Sequence, residues 1–252
     1  IDMKNFFWFL IIAWLPATGW AQSLSGKVVY QEAINMHKQL GSENEDILKM
    51  VPEFQYATKV LSFTEKMAVY RVGQGDDEAG EYKHEEGGMQ IRMVFNQPDD
   101  AIFQNTETGE YLEQKTFMGK QFLIEGEAEA YKWKLTGEQE KLGAYVCQKA
   151  ILQDTSRKVV AWFTPQIPAP HGPGTFGKLP GLILKIDIDE GTRVLTATDI
   201  QLNPENMSTI EAPTKGKKVT RAQYEEIVEE KTKALQEQMG GGSGGVRVIR
   251  RN

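Results

Sequence analysis

The segment 172–188, GPGTFGKLPGLILKIDI, joins a run of glycines and prolines to a short apolar run. Its second part, LILKIDI at residues 182–188, predicts a buried strand because it is short, apolar and rich in β-branched side chains. Its first part carries almost no group that is suited to acid–base chemistry. We therefore expect a specialised loop that leads into a central strand of a sheet.

The loop extends back to residue 164, and residues 164–181 read TPQIPAPHGPGTFGKLPG. Its five prolines fix φ and remove hydrogen-bond donors, which excludes regular sheet structure. The apolar residues within it indicate an ordered loop with one of two roles: a packed flap over an open end of the sheet, or a rigid rim around a ligand or partner groove. The predicted contact residues of such a rim are Ile167, His171, Phe176, Lys178, Leu179 and Pro180.

Short strand-like runs separated by turn residues occupy most of the chain after residue 26. The run KVVYQEA, for example, places Val28 and Tyr30 on one face of a strand. The spacing predicts roughly ten strands and few helices. We expect one mainly β domain over residues 22–239, built on an antiparallel, strongly curved sheet that is either a half-barrel or sandwich-like.

An acidic, glycine-bearing stretch at residues 73–88, GQGDDEAGEYKHEEGG, interrupts the strand pattern. Its carboxylates raise the possibility of a calcium loop, but it lacks the alternating Asp/Asn positions and terminal Glu of an EF-hand. The sequence predicts a solvated loop here.

The pattern changes near the carboxyl end of the domain. Thr220 and Gln223 have the spacing of a capping box, and apolar residues then recur at helical intervals to Met239. We expect an amphipathic helix over about residues 220–239 that docks its apolar stripe on the sheet.

Residues 240–252 differ from the domain before them. GGGSGG at residues 240–245 predicts a flexible linker, and the basic tail VRVIRRN follows it. The tail is either a frayed end or a strand that adds to the sheet edge of a partner. Its predicted partner-binding residues are Val246, Arg247, Val248, Ile249, Arg250 and Arg251.

The amino-terminal 21 residues have the organisation of a secretory signal peptide. Lys4 is followed by a short apolar stretch and by small residues that end at Ala21. The apolar stretch is shorter than the roughly 20 residues that a membrane-spanning helix needs. We expect an exported protein that does not span the membrane once processed.

Composition and motifs exclude several classes of function. A net charge of −6 and the lack of a basic stripe argue against nucleic-acid binding, and the single cysteine excludes an internal disulfide. No nucleophile elbow, phosphate loop, dinucleotide fingerprint or zinc spacing occurs, so we expect no catalytic residues, no cofactor and no metal site. Two weaker alternatives stay open: soft copper ligation by His171 and Cys147 with methionines, and a hydrolase with dispersed carboxylates.

Three stretches together resemble a known family. The run AWFTPQIP…GPGTFGKLPGLIL, the preceding GAYVCQKA and the later KGKKVT are similar to the GLPGLI, or Porph_ging, family of exported Bacteroidetes proteins. Lys178 stands where the family name has its first glycine. The resemblance implies an exported β-rich protein of undefined molecular function, without established catalytic residues.

The resemblance also implies association with outer-membrane machinery, often transporters of the TonB-dependent type. We therefore expect a non-enzymatic, periplasmic binding or accessory protein that is associated with the outer membrane. The alternative is a half-barrel carrier or chaperone for lipid or peptide, which the strand-rich layout resembles more weakly.

Overall fold

The fold is that of a computed structural model, which describes residues 24–41, 48–49, 51–73, 80–86, 89–95, 99–154, 156–207 and 209–239. The predicted signal peptide and the tail lie outside these residues and stay predictions. The strands are β1 (Ser25–Asn35), β2 (Phe54–Thr64), β3 (Met67–Val72), β4 (Gly80–Glu86), β5 (Met89–Phe95), β6 (Ala101–Asn105), β7 (Tyr111–Phe117), β8 (Lys120–Gly126), β9 (Trp133–Leu142), β10 (Tyr145–Leu152), β11 (Val159–Thr164), β12 (Leu182–Ile188), β13 (Arg193–Leu202) and β14 (Lys217–Thr220). The helices are α1 (Met36–Leu40) and α2 (Arg221–Met239).

Twelve of these strands form one sheet, which confirms the prediction of a mainly β, mostly antiparallel fold. Its order is β14-β8-β7-β6-β3-β2-β1-β13-β12-β11-β10-β9, and β14 pairs with β8 in parallel. LILKIDI is β12, and it lies inside the sheet between β11 and β13. The sheet is not closed, because β9 and β14 are its two edges.

The connection between β8 and β9 shows that the sheet is strongly curled. These strands are consecutive in the chain but stand second and twelfth in the order of the sheet. A flat sheet would separate them by about 48 Å, at about 4.8 Å between neighbouring strands. The chain from Gly126 to Trp133 spans at most about 25 Å when fully extended. The two ends of the sheet must therefore approach each other across its concave face.

The register of the strands distinguishes the two faces of the sheet. Five residues lie directly opposite one another on β10, β11, β12, β13 and β1, and all are buried: Ala150, Ala161, Ile186, Leu195 and Glu32. The residues next to them in each strand are half-buried or exposed. The buried row marks the concave face, which holds the main core.

The segment 164–181, which we call the flap, completes this core. Ile167, Ala169, Phe176 and Leu179 belong to the same apolar cluster as residues of β1, β2, β3 and β10–β13. The buried hydroxyl of Tyr30 also donates to the carbonyl oxygen of Ile183 at 2.6 Å, which joins β1 to the strand that follows the flap.

The acidic stretch at residues 73–88 is only partly the loop that the sequence predicts. Residues 80–86 form β4, which pairs with β5 in a separate two-stranded sheet. The loop prediction is therefore wrong for this part, because pairing with a strand-forming neighbour overrides the low β-propensity of the acidic residues. Residues 74–79 and 87–88 lie outside the described part of the chain.

Helix α2 begins with the reciprocal bonds of a capping box. The backbone N–H of Gln223 donates to Thr220 Oγ1 at 3.2 Å, and the N–H of Thr220 donates to Gln223 Oε1 at 2.9 Å. Its first two turns pack Tyr224 and Ile227 on a cluster with Phe122, which belongs to β8. None of the described helices combines the length and apolar character required to cross a bilayer.

The junction between the flap and β12 depends on glycine at position 181. Gly181 has φ of 150°, and a Cβ placed there would lie 2.2 Å from the carbonyl oxygen of Thr164. The backbone N–H of Gly181 also donates to the carbonyl of Leu179 at 2.8 Å. The backbone is thus fixed too close to Thr164 for any side chain.

We expect Gly181→Ala to lower the free energy of unfolding by about 3 kcal/mol, through backbone strain and overpacking. Chemical denaturation measures the change. Gly126→Ala is the matched control, because a Cβ at Gly126 meets nothing within 4 Å. The free energy of unfolding of this control should equal that of the wild type or exceed it by up to about 1 kcal/mol. Equal stability of the two variants would contradict this account of the junction.

Candidate functional site

The flap presents alternate residues to the core and to solvent. Ile167, Ala169 and His171 are fully buried, whereas Gln166, Pro168 and Pro170 are exposed. This strand-like alternation arises although prolines prevent a regular ladder, because the extended backbone still points successive side chains to opposite sides. The flap therefore has an inner side within the core and an outer side of exposed residues.

Backbone hydrogen bonds fasten the flap to the start of β12. The N–H of Leu182 donates to the carbonyl of Ile167 at 2.9 Å, and the N–H of Ile183 donates to that of His171 at 3.0 Å. Within the flap, the N–H of Lys178 donates to the carbonyl of Pro170 at 2.9 Å. These hydrogen bonds join the two halves of the flap to each other and join the flap to β12.

His171 joins the inner side of the flap to the β2–β3 hairpin. Its Nε2 lies 3.0 Å from the carbonyl oxygen of Thr64, so this nitrogen carries the proton and donates. Its Nδ1 is buried without a hydrogen-bond partner among the described residues, and its ring centroid lies 6.0 Å from that of Phe63. Burial lowers the pKa of His171, although the bond to the Thr64 carbonyl opposes this effect.

The tip of the flap packs among aromatic residues at the start of β9. The Phe176 ring stacks on Tyr131 with 5.1 Å between ring centroids and lies 6.3 Å from Trp133. Trp133 Nε1 donates to the carbonyl of Gly177 at 3.0 Å. The tip is therefore anchored to the chain that connects β8 with β9.

The predicted contact residues of the flap fall into two groups. Ile167, His171, Phe176 and Leu179 are buried, with at most 6% of any of them exposed. Lys178 and Pro180 are exposed. A partner can reach only Lys178 and Pro180 while the flap stays in place. The predicted contacts at residues 246–251 lie outside the described residues.

Lys178 has a left-handed backbone conformation, with φ of 64°. This conformation favours glycine because it brings the Cβ of any other residue close to its own carbonyl oxygen. A lysine at position 178 therefore adopts its conformation at an energetic cost.

Cys147 and the acidic residues show little of the geometry that catalysis or metal binding requires. Cys147 is fully buried, and burial raises its thiol pKa to about 11, so it is protonated at neutral pH. Across the described ranges, no group of three or more His, Cys, Asp or Glu side chains comes together as metal ligands would. An open depression lined by Asp154, Ser156, Arg157, Lys158, Asp189 and Glu190 carries mixed charges.

A buried charged cluster under α2 was not found from the sequence. Glu113 is 1% exposed, accepts a hydrogen bond from Tyr111 at 2.5 Å, and lies 3.1 Å from the guanidinium of Arg221. Burial alone would raise the pKa of Glu113, but Lys115, Tyr111 and Arg221 outweigh it and hold the pKa below its usual value. In the sequence, the one sign of this cluster is Glu113, a charged residue at a position of β7 that faces the interior.

The flap should weaken as the pH falls because of His171. The pKa of His171 is lower in the folded protein than in the unfolded chain. Its contribution to the free energy of unfolding is therefore complete above about pH 6.5 and is lost as the pH falls toward the folded pKa. His171→Gln keeps a donor for the Thr64 carbonyl but does not titrate. Urea denaturation between about pH 7.5 and pH 5 should show a smaller stability loss for this variant. If the wild type and His171→Gln lost the same stability between these pH values, His171 would not be the cause of the pH dependence.

Lys178→Gly should raise the free energy of unfolding. The left-handed conformation costs a lysine about 1–2 kcal/mol. The greater freedom of glycine in the unfolded chain offsets about 0.5–1 kcal/mol of that gain. The control Lys134→Gly, at an exposed position of β9, should instead lose about 0.5–1 kcal/mol. Chemical denaturation measures both, and destabilisation by both substitutions would refute the strain at Lys178.

The fold is similar to that of solved structures. PNGF-II in the P21 space group aligns with a TM-score of 0.54 and 12% identity, over 83% of this chain and 34% of that chain. PNGF-II in the C2 space group gives a TM-score of 0.54 and 12% identity, over 82% and 33%. This chain thus spans about a third of PNGF-II, and the likeness concerns the fold alone. No curated protein sequence matches this chain.

A family model matches the segment that contains the flap. Residues 153–185 match the Porph_ging model, which is described as a protein of unknown function. The match covers β11, the flap and the first residues of β12. The resemblance to the Porph_ging family that the sequence predicts is therefore confirmed over this segment.

Proposed function

We propose that this protein is an exported, non-enzymatic binding or accessory module that contacts an outer-membrane partner through the outer side of the flap. The observation that carries the proposal is the two-sided flap: its inner side is fixed in the core, and its outer side is held rigidly in solvent. The partner is a transporter of the TonB-dependent type or an assembly complex.

The anchoring of the flap favours binding because it lowers the entropic cost of association. Its backbone is restricted by five prolines and by the hydrogen bonds to Leu182 and Ile183. A contact surface that is ordered before binding loses less conformational freedom when a partner docks. The outer residues of the flap are thus preorganised.

The outer side is mainly apolar with one positive charge. Its exposed residues include Pro165, Pro168, Pro170, Lys178 and Pro180. Val146 extends this side, because it is 46% exposed and its N–H donates to Gln166 Oε1 at 2.9 Å. Such a surface suits a protein partner with a shallow apolar site and an acidic group near Lys178.

The tail at residues 246–251 is the second proposed contact element. Its alternation of apolar and basic residues suits strand addition to the sheet edge of the partner, with arginines near acidic groups. Export through the signal peptide at residues 1–21 places the protein in the same compartment as this partner.

The alternative, a half-barrel carrier, requires an accessible concave face. The flap fills that face with Ile167, Phe176 and Leu179, all of which are at least 94% buried. A lipid or peptide would have to displace these side chains and break the bonds that anchor the flap. The structure thus favours the binding module over the carrier.

Crosslinking pull-down from native envelopes tests the proposal. Lys178→Glu reverses the one charge on the outer side and leaves the inner side unchanged. We expect recovery of the outer-membrane partner to fall at least about tenfold, because a like charge facing an acidic group is repulsive. Lys134→Glu on β9 is the matched control, with the same charge change at another exposed position.

Truncation after Met239 removes the tail and should lower recovery of the outer-membrane partner further. Equal recovery by the wild type, Lys178→Glu and the truncated protein would contradict the proposal. Thermal unfolding of each variant verifies that any loss does not come from misfolding.

A further inference from the structure

A row of polar and aromatic residues crosses the sheet on the face opposite the core. Its members lie directly opposite one another on β10, β11, β12, β13, β1 and β2: Lys149, Trp162, Lys185, Thr196, Gln31 and Thr58. Each is half-buried or exposed. We call this the outer row. Six neighbouring strands give it a length of about 24 Å.

Trp162 forms an aromatic platform that Lys149 holds in place. Lys149 Nζ lies 5.9 Å from the centroid of the Trp162 ring and 2.9 Å from Glu138 Oε2. This lysine is therefore already engaged by a carboxylate and by the aromatic ring. The Trp162 ring also packs against the main core and remains partly open to solvent.

Lys185 stands on the other side of Trp162 and is uncommitted. It lies directly opposite Trp162 on β12, at a separation where side chains of neighbouring strands contact each other. No ion pair joins Lys185 to another residue in the described part of the chain. Its ammonium group is thus available for an external anion beside the aromatic platform.

Polar groups continue the row beyond Lys185. Thr196 lies opposite Lys185, and Gln31 lies opposite Thr196. Among the described residues, the side chains of Thr196 and Gln31 make no hydrogen bond, so that a hydroxyl and an amide are free to donate and accept. An aromatic side chain, a cation, a hydroxyl and an amide therefore follow one another across four neighbouring strands.

We propose that the outer row binds an extended acidic oligosaccharide. A sugar ring packs its C–H face on Trp162, its carboxylate pairs with Lys185, and the hydroxyls of the next units bond to Thr196 and Gln31. This activity goes beyond the proposed contact with an outer-membrane partner and uses another surface.

An acidic peptide fits this row less well than a sugar. An extended peptide gains most of its affinity by pairing its backbone with a free sheet edge. The outer row crosses strands whose backbones are paired on both sides, with β11, β12, β13 and β1 all internal to the sheet. Recognition here depends on side chains alone, which suits stacking and hydroxyl bonding.

Calorimetric titration with an oligogalacturonate tests the proposal. We expect saturable binding that weakens with added salt, and weaker binding of a neutral oligosaccharide of the same length. Trp162→Ala should lower the affinity about tenfold, since a stacked ring contributes about one tenfold step. Lys185→Gln, which changes a solvent-facing side chain, should lower it about three- to tenfold. Lys120→Gln, in the turn that starts β8, is the control and should bind as the wild type does.

Poly-glutamate distinguishes recognition of sugar from simple attraction of charge. Binding of poly-glutamate as tightly as the oligosaccharide, with no effect of Trp162→Ala, would overturn the proposal. So would the absence of saturable oligosaccharide binding, or unchanged affinity in Lys185→Gln. Because Trp162 contributes to packing, thermal unfolding accompanies each titration, and Lys185→Gln keeps the test valid if Trp162→Ala unfolds.

Discussion

The concave face of a strongly curled sheet has to be filled, and in this protein the flap fills it. Ile167, Phe176 and Leu179 enter the space that β1, β2, β3 and β10–β13 enclose. Each fully buried side chain of this type contributes about 1.5–3 kcal/mol by leaving water. The flap is therefore a part of the core that the chain supplies from a connection between two strands. The stability of the sheet and the position of the flap depend on each other.

This requirement accounts for the special residues around the flap. The chain must turn sharply from the flap into β12, and only glycine at position 181 tolerates the close approach of the Thr164 carbonyl. His171 is buried because it lies on the inner side, where its ring Nε2 donates to the Thr64 carbonyl of the β2–β3 hairpin. Lys178 lies on the outer side in a left-handed conformation that is strained for a lysine.

Local patterns predicted much of this fold. The alternation of Val28 and Tyr30, the apolar run of β12 and the Thr220–Gln223 spacing each depend on neighbours a few residues away. The order of strands was not predictable, because pairing depends on contacts between residues that are far apart in sequence. The placement of β8 and β9 at opposite ends of the sheet follows from all the intervening pairs together.

The sequence predicted the place of an ordered loop at residues 164–181 but not which of its side chains face the core. The sequence indicated an ordered, rigid loop, yet it did not show which residues face the core, since prolines remove the hydrogen-bond pattern that defines strand faces. Lys178 and Phe176 looked equivalent as contact residues and lie on opposite sides of the flap. The outer row also escaped notice, because Trp162 and Lys185 are adjacent only through strand register.

Native-state hydrogen exchange tests most directly whether the flap is part of the core. The amides of Lys178, Leu182 and Ile183 donate to flap carbonyls, and each can be compared with core amides of β1 and β2. If the flap and sheet form one cooperative unit, these amides exchange only with global unfolding and share its free energy. Exchange of the three amides through a local opening at much lower free energy, while β1 and β2 stay protected, would contradict this account.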